Sequence, residues 1–261
     1  MHIAQLTNVA LHWREDGDPS GRPVVFCNSL GTDLRLWDKV VARLPAGLRL
    51  IRFDNRGHGL SSCPEGNYAM DDLVADTAEL LDHLGVRDCL FVGLSIGGMV
   101  AQKLAATRPD LVAAAVLADT AARMGTAELW ETRIEAISTN GLASMADGVM
   151  ERWFPPAFRA TPECLAWRHM LVRTPEQGYL GCCHALANAD LTASTAKLRL
   201  PVLGICGSED GASPPDLVKG TIDLIPGARF VEIADTGHLP CVDGADAFAQ
   251  HLTAFLAETA L

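Results

Sequence analysis

No stretch of the sequence approaches the roughly 18 consecutive apolar residues that a membrane-crossing helix needs. The opening Met1-His2-Ile3-Ala4-Gln5 also lacks the basic-then-apolar order of an export signal. A soluble, cytoplasmic protein without a membrane partner is expected. Positive charge is scarce as well: 21 Lys and Arg stand against 32 Asp and Glu, a net charge of −11, with no basic stripe. Such a surface repels phosphate backbones and argues against nucleic acid as a partner. An anionic small molecule is admitted only where a local arginine or lysine overcomes the mean field. No C-x-x-C pair occurs among the eight cysteines at 27, 63, 89, 164, 182, 183, 206 and 241. Several lie inside apolar runs such as Val24-Val25-Phe26-Cys27, so they read as reduced core residues, and Cys182-Cys183 reads as a buried helix pair with no metal expected. There is no internal repeat, low-complexity tract or separable linker, and 49% hydrophobic content is ample for a large core.

What is present is an alternation of apolar strands and helices. Two short alternating segments, Ile3 to Leu6 and Val9 to Arg14, suggest a leading hairpin. Buried-strand runs follow at Pro23 to Cys27, Leu48 to Phe53, Cys89 to Val92 and Leu111 to Ala118, with helices at Asp71 to Leu84 and Met99 to Thr107. The rhythm then breaks: from Arg123 to about Asp190 the period is helical, aromatics gather (Trp130, Trp153, Phe154, Phe158, Trp167, Tyr179), and no buried strand is evident. It resumes with strands Pro201 to Cys206 and Arg229 to Ile233 and helices Asp216 to Ile225 and Ala245 to Leu256. The expected architecture is an α/β fold with a mainly parallel sheet, helices on both faces, and functional loops at the carboxyl ends of the strands. Residues 1–122 and 190–261 form its core, and 123–189 an inserted helical lid.

One local pattern carries chemistry. In Cys89-Leu90-Phe91-Val92-Gly93-Leu94-Ser95-Ile96-Gly97-Gly98 a G-x-S-x-G motif stands between a strand and a helix, the setting of a nucleophile elbow. Gly93 and Gly97 leave room for crossing backbone, Ser95 is the candidate nucleophile, and the Ile96 N–H is aimed at a developing oxyanion. A serine hydroxyl needs a histidine to take its proton and a carboxylate to orient that histidine. His238 follows the last strand; Asp210 follows the strand before it, with Glu209 and Asp119 as substitutes for the acid. The order Ser, Asp, His is that of α/β-hydrolases. The second oxyanion donor is expected at the Leu30 N–H in Asn28-Ser29-Leu30-Gly31, where Ser29 is a rival nucleophile without flanking glycines. His58, in Arg56-Gly57-His58-Gly59, reads as structural.

With these motifs in place, the chain resembles the α/β-hydrolase superfamily over nearly its whole length, and within it the 3-oxoadipate enol-lactonases. The resemblance rests on Phe26-Cys27-Asn28-Ser29-Leu30-Gly31-Thr32, Phe53-Asp54-Asn55-Arg56-Gly57-His58-Gly59, the elbow, Asp119-Thr120-Ala121, Arg152-Trp153-Phe154 and Gly178-Tyr179-Leu180-Gly181-Cys182-Cys183. The usual His-Gly before the oxyanion residue is replaced by Asn28-Ser29, a change those lactonases tolerate. Serine at the elbow argues against the dehalogenase and epoxide hydrolase branches, which use a carboxylate there.

The resemblance implies an eight-stranded sheet and the hydrolysis of 3-oxoadipate enol-lactone to 3-oxoadipate in the β-ketoadipate pathway of aromatic-compound catabolism, with no metal or organic cofactor. That substrate keeps a free carboxylate. Arg133, one turn from Trp130 on the same helical face, is the expected partner for it, unless it pairs with Glu131 or Glu135. Trp130 and Trp153 are expected pocket walls, with core packing as the competing role of Trp153. Alternatives left open are a broad carboxylesterase or cofactor-free perhydrolase on the same three residues, and a hydrolase-fold receptor for a small lactone. The sequence leaves homo-oligomerisation open.

Overall fold

The computed structural model describes residues 1–259. Eight strands form one sheet: β1 (His2–Gln5), β2 (Ala10–Gly17), β3 (Arg22–Cys27), β4 (Leu48–Phe53), β5 (Cys89–Leu94), β6 (Val112–Ala118), β7 (Val202–Gly207) and β8 (Arg229–Ile233), in the order β1-β2-β4-β3-β5-β6-β7-β8. The hairpin strands β1 and β2 run antiparallel, and every pair from β4–β3 to β7–β8 is parallel. All six residues of β5 and all six of β7 are buried. Because successive side chains point to opposite faces, the middle of the sheet is covered on both sides, which is why these segments read as continuous apolar runs.

The longer helices are α1 (Met70–His83), α2 (Ile96–Thr107), α3 (Ala127–Asn140), α4 (Ala146–Trp153), α5 (Pro162–Val172), α6 (Glu176–Asn188), α7 (Pro215–Ile222) and α8 (Ala245–Glu258). At the start of α1, the Asp72 side chain reaches back to accept the Ala69 N–H at 2.7 Å, using the acidic first turn seen in the sequence. Helix α7 stops at Ile222, three residues short of the expected end. Pro226 follows Ile225, and a residue before proline is biased out of the helical region.

Between β6 and β7 lie α3 to α6 and no strand. Trp130, Trp153, Phe154, Trp167 and Tyr179 are buried there and Phe158 is half-buried. Phe154 stacks on Phe158 at 4.3 Å and lies 6.4 Å from Trp167, so these aromatics build a core of their own for the segment. Seven cysteines are buried and all eight are free; Cys63, half-buried, departs from the expectation of a core residue because it sits in the open turn before α1. No helix among the described residues is long and apolar enough to cross a membrane.

Candidate active site

Strand β5 ends at Leu94 and helix α2 begins at Ile96, which leaves Ser95 alone at the corner with φ 57° and ψ −119°. A non-glycine residue in that region is strained, and the surroundings enforce it. The Ser95 N–H donates to the Ala118 carbonyl at 2.9 Å, and the Thr120 hydroxyl donates to the Ser95 carbonyl at 2.6 Å. A Cβ on Gly93 would run into the Gly97 carbonyl, and one on Gly97 into the Cys27 carbonyl, so both flanking glycines are required by backbone crossing.

His238 and Asp210 reach this corner from the ends of β8 and β7. His238 Nδ1 lies 2.9 Å from Asp210 Oδ2. Asp210 also accepts the N–H groups of Ala212 and Ser213, at 2.7 and 3.0 Å, and the Ser213 hydroxyl at 2.7 Å. Burial alone would push this carboxyl up, but His238 and the backbone donors outweigh it and hold Asp210 below the usual carboxylate range. Of the substitutes for the acid, Glu209 is exposed and Asp119 bonds to the Gly207 N–H. Asp210 is therefore the carboxylate that holds His238. The Ser95 hydroxyl faces Met124 Sδ at 4.0 Å and makes no direct bond to His238.

The loop after β3 is braced from three sides. Asn28 Nδ2 donates to the Phe53 carbonyl at 2.7 Å, Trp37 Nε1 donates to Asn28 Oδ1 at 2.9 Å, and the Gly31 N–H donates to His58 Nε2 at 3.0 Å. Burial lowers the His58 pKa, so the ring is neutral, accepting at Nε2 and donating from Nδ1 to the Arg56 carbonyl at 3.1 Å. His58 is thus structural in a definite sense: it tethers the neighbour of Leu30. Neither the Leu30 nor the Ile96 N–H has an acceptor among the described residues, leaving both available to an oxyanion.

Ser95, His238, Leu30, Trp130, Arg133 and Trp153 line one cavity of about 250 Å³, with Ile96 behind Ser95 at the start of α2 and Asp210 behind His238. The Arg133 guanidinium lies 5.3 Å from the Trp130 ring and has no carboxylate partner among the described residues, so the pairing with Glu131 or Glu135 is not formed. Trp153 does both things expected of it, lining the cavity and meeting Phe154 edge-on at 6.4 Å. The cavity is also lined by Arg152 and Tyr179, which the sequence offers only within the Arg152-Trp153-Phe154 and Gly178-Tyr179 motifs and without a stated role, and by Met124 and Leu217, which it does not single out. Arg152 is adjacent to Trp153, and helical spacing gives no reason for both to share a wall. The carboxyl end of α4 is instead turned by its bonds: the Gly211 N–H donates to the Arg152 carbonyl at 3.1 Å and the His238 N–H to the Trp153 carbonyl at 2.8 Å. The segment between β6 and β7 is in this way fastened to both the acid loop and the histidine loop.

Only Asp119, Cys206 and Asp210 bring three possible metal donors within 4.8 Å among the described residues. Asp210 is committed to His238, and burial pushes the Cys206 thiol far up, keeping it protonated. A thiol that stays protonated is a poor ligand, and the set does not suit a metal.

The alpha/beta hydrolase family pattern matches residues 24–251. Two curated 3-oxoadipate enol-lactonases of Acinetobacter baylyi are similar: one is 37% identical over 205 residues, covering 78% of this chain and 77% of that one, and the other 32% identical over 261 residues, covering 98% and 97%. Among solved structures, the enol-lactonase of Burkholderia xenovorans superposes with a TM-score of 0.94 at 35% identity, covering 98% of this chain and all of that one. A malate-bound thermophilic esterase of Thermogutta terrifontis superposes with a TM-score of 0.92 at 28% identity, covering 99% of both chains. The elbow, the strand order and these likenesses agree: the chain belongs to the alpha/beta hydrolase family.

Proposed function

We propose that this hydrolase, which acts on an ester bond, opens 3-oxoadipate enol-lactone to 3-oxoadipate. Ser95 is the nucleophile, His238 the base, Asp210 the carboxylate that orients it, and the Leu30 and Ile96 N–H groups the oxyanion donors. Ser95 Oγ attacks the ring carbonyl carbon while His238 Nε2 takes its proton. Collapse of the tetrahedral intermediate breaks the ring C–O bond, and the leaving enol oxygen takes that proton from His238. Because the enol becomes a ketone, it leaves more readily than an ordinary alkoxide. Water, deprotonated by His238, then attacks the acyl–Ser95 ester; the C–Oγ bond breaks, Ser95 Oγ recovers the proton from His238, and the second carboxylate is released.

The observation that carries this reading is Arg133, an arginine without an ionic partner among the described residues, on the wall of the Ser95 cavity in a protein of net charge −11. A guanidinium lying over the Trp130 ring offers a fork for the carboxylate that the lactone retains, and about 250 Å³ suits a molecule of that size better than a lipid or polymer. Two relatives named for this activity support it. Residues 123–189 act as the lid over a core of 1–122 and 190–261, and eight free thiols suit the reducing cytoplasm.

A broad esterase is the second reading, favoured by the likeness to the Thermogutta esterase. Steady-state hydrolysis of the enol-lactone beside a neutral p-nitrophenyl ester separates them. A kcat/KM for the lactone far above that for the ester is expected; equal or ester-favouring values would leave an unspecific esterase.

A further inference from the structure

Behind the Asp210–His238 pair lies a second carboxyl group that the proposed reaction does not use. Asp119 follows β6 with φ 46°, is completely buried, and has no cationic partner among the described residues. Its Oδ1 accepts the Gly207 N–H at 2.9 Å, while Oδ2 is buried without any partner. One of its carboxyl oxygens, one of those of Asp210 and Cys206 Sγ all lie within 4.8 Å of one another. Two carboxylates that close in a dry interior cannot both keep a full charge, so one proton must reside on the pair.

The donors decide where. Asp210 receives hydrogen bonds from the Ala212 and Ser213 N–H groups, the Ser213 hydroxyl and His238 Nδ1. Asp119 receives one, from Gly207. We propose that Asp119 is a neutral carboxylic acid that takes the proton of the pair, and in doing so leaves Asp210 ionised and oriented toward His238. It is a positioning residue, since it touches neither the cavity nor Ser95. Burial, followed by the Asp210 charge, pushes its pKa well up. The other ionisable groups facing it are the thiols of Cys206 on β7 and Cys241 in the short helix Pro240–Asp243, both pushed up by burial and so uncharged. His238 is the sole potential cation of the cluster among the described residues, and Asp210 holds it. The Ser213 hydroxyl also touches the Asp119 carbonyl, at 2.6 Å. Its single hydrogen is shared between that carbonyl and Asp210 Oδ2, so the two backbone N–H groups and His238 are the donors that distinguish Asp210 from Asp119.

Asp119→Asn tests this, since an amide is the neutral isostere: its oxygen accepts the Gly207 N–H and its NH2 replaces the acid O–H. With p-nitrophenyl acetate as the probe, kcat/KM is expected to stay within about threefold of wild type with the acid limb of the pH profile unmoved. If Asp119 is ionised, the same change deletes a charge beside the pair and lowers the acid limb by about one unit or more, which overturns the proposal. The kinetic arm rests on the proposed roles of Asp210 and His238. An infrared arm does not: at about pH 8, wild type is expected to show the carbonyl stretch of a protonated carboxylic acid, lost in Asp119→Asn and retained in Asp243→Asn. Absence of that band in wild type overturns the proposal whatever the enzyme hydrolyses, and also decides the matter if Asp119→Asn does not fold.

Discussion

Among the described residues two buried histidine–aspartate pairs have nearly the same geometry, and one of them lies beside the elbow serine. His12 Nδ1 lies 2.8 Å from Asp54 Oδ2, and His238 Nδ1 lies 2.9 Å from Asp210 Oδ2. Each aspartate also accepts two backbone N–H groups, Asp54 those of Leu34 and Leu60, Asp210 those of Ala212 and Ser213. Each pair borders a cavity, and the one at His12 and Asp54, about 470 Å³, is larger than that at Ser95. What differs is the partner. The hydroxyls near His12 are already committed, Thr32 to the Ser29 carbonyl at 2.8 Å and Thr174 to the Met170 carbonyl at 3.2 Å. At His238 the hydroxyl is Ser95, held on a strained corner between two backbone N–H groups without acceptors. An imidazole–carboxylate contact alone therefore does not make a candidate site; a hydroxyl held by no more than a weak sulfur contact, beside backbone N–H groups without acceptors, does.

The comparison breaks first on activity. Asp210→Asn is expected to lower kcat by roughly 10⁴-fold through the wrong histidine tautomer. Asp54→Asn should leave kcat per folded molecule within about threefold, because its histidine faces no nucleophile. Equal losses in steady-state assays would erase the distinction. The order reverses on stability: Asp54→Ala strands three donors, from Leu34, Leu60 and His12, and should cost about 3 kcal/mol in urea unfolding. A value below about 1 kcal/mol would show that this pair does not brace the loop.

Arg133→Gln sharpens the substrate side. KM for the anionic lactone should rise about 10- to 100-fold, with KM for a neutral ester nearly unchanged. Equal shifts would remove Arg133 from carboxylate binding. The smallest effect concerns Asp243, whose Oδ2 accepts the Gly237 N–H beside His238 at 2.8 Å. Burial pushes this carboxyl from 3.8 up to about 6. The folded state then holds its proton more tightly than the unfolded chain, so this group's contribution falls as pH rises from about 4 to 6 and is a constant cost above that. Asp243→Asn keeps the acceptor and should raise stability by about 1–2 kcal/mol at pH 7 and hardly at all at pH 4, read from urea unfolding at both values. A gain that is the same at both pH values would mean that ionisation is not its source.

The sequence made local features legible and left non-local ones hidden. The elbow was readable because Gly93, Ser95 and Gly97 act within one strand-to-helix turn, and His238 because it follows the last strand. Asp210 was identified among its alternatives, but Asp119 was weighed only as a replacement for it. Their proximity depends on β6 and β7 pairing across the whole helical segment between them. The His12–Asp54 pair depends in the same way on β2 lying against β4. Arg152 was visible only as the neighbour of Trp153, because its place on the cavity wall is set by backbone bonds from Gly211 and His238 to the end of α4, which no helical periodicity encodes.

Labelling with a fluorophosphonate, followed by peptide mapping, tests the central claim most directly, since the reagent reports an activated hydroxyl whatever the natural substrate. A single adduct on Ser95, absent from Ser95→Ala and strongly reduced in Asp210→Asn but not in Asp54→Asn, is predicted. An adduct on Ser29 or Thr32, or labelling that persists in Ser95→Ala, would contradict the account.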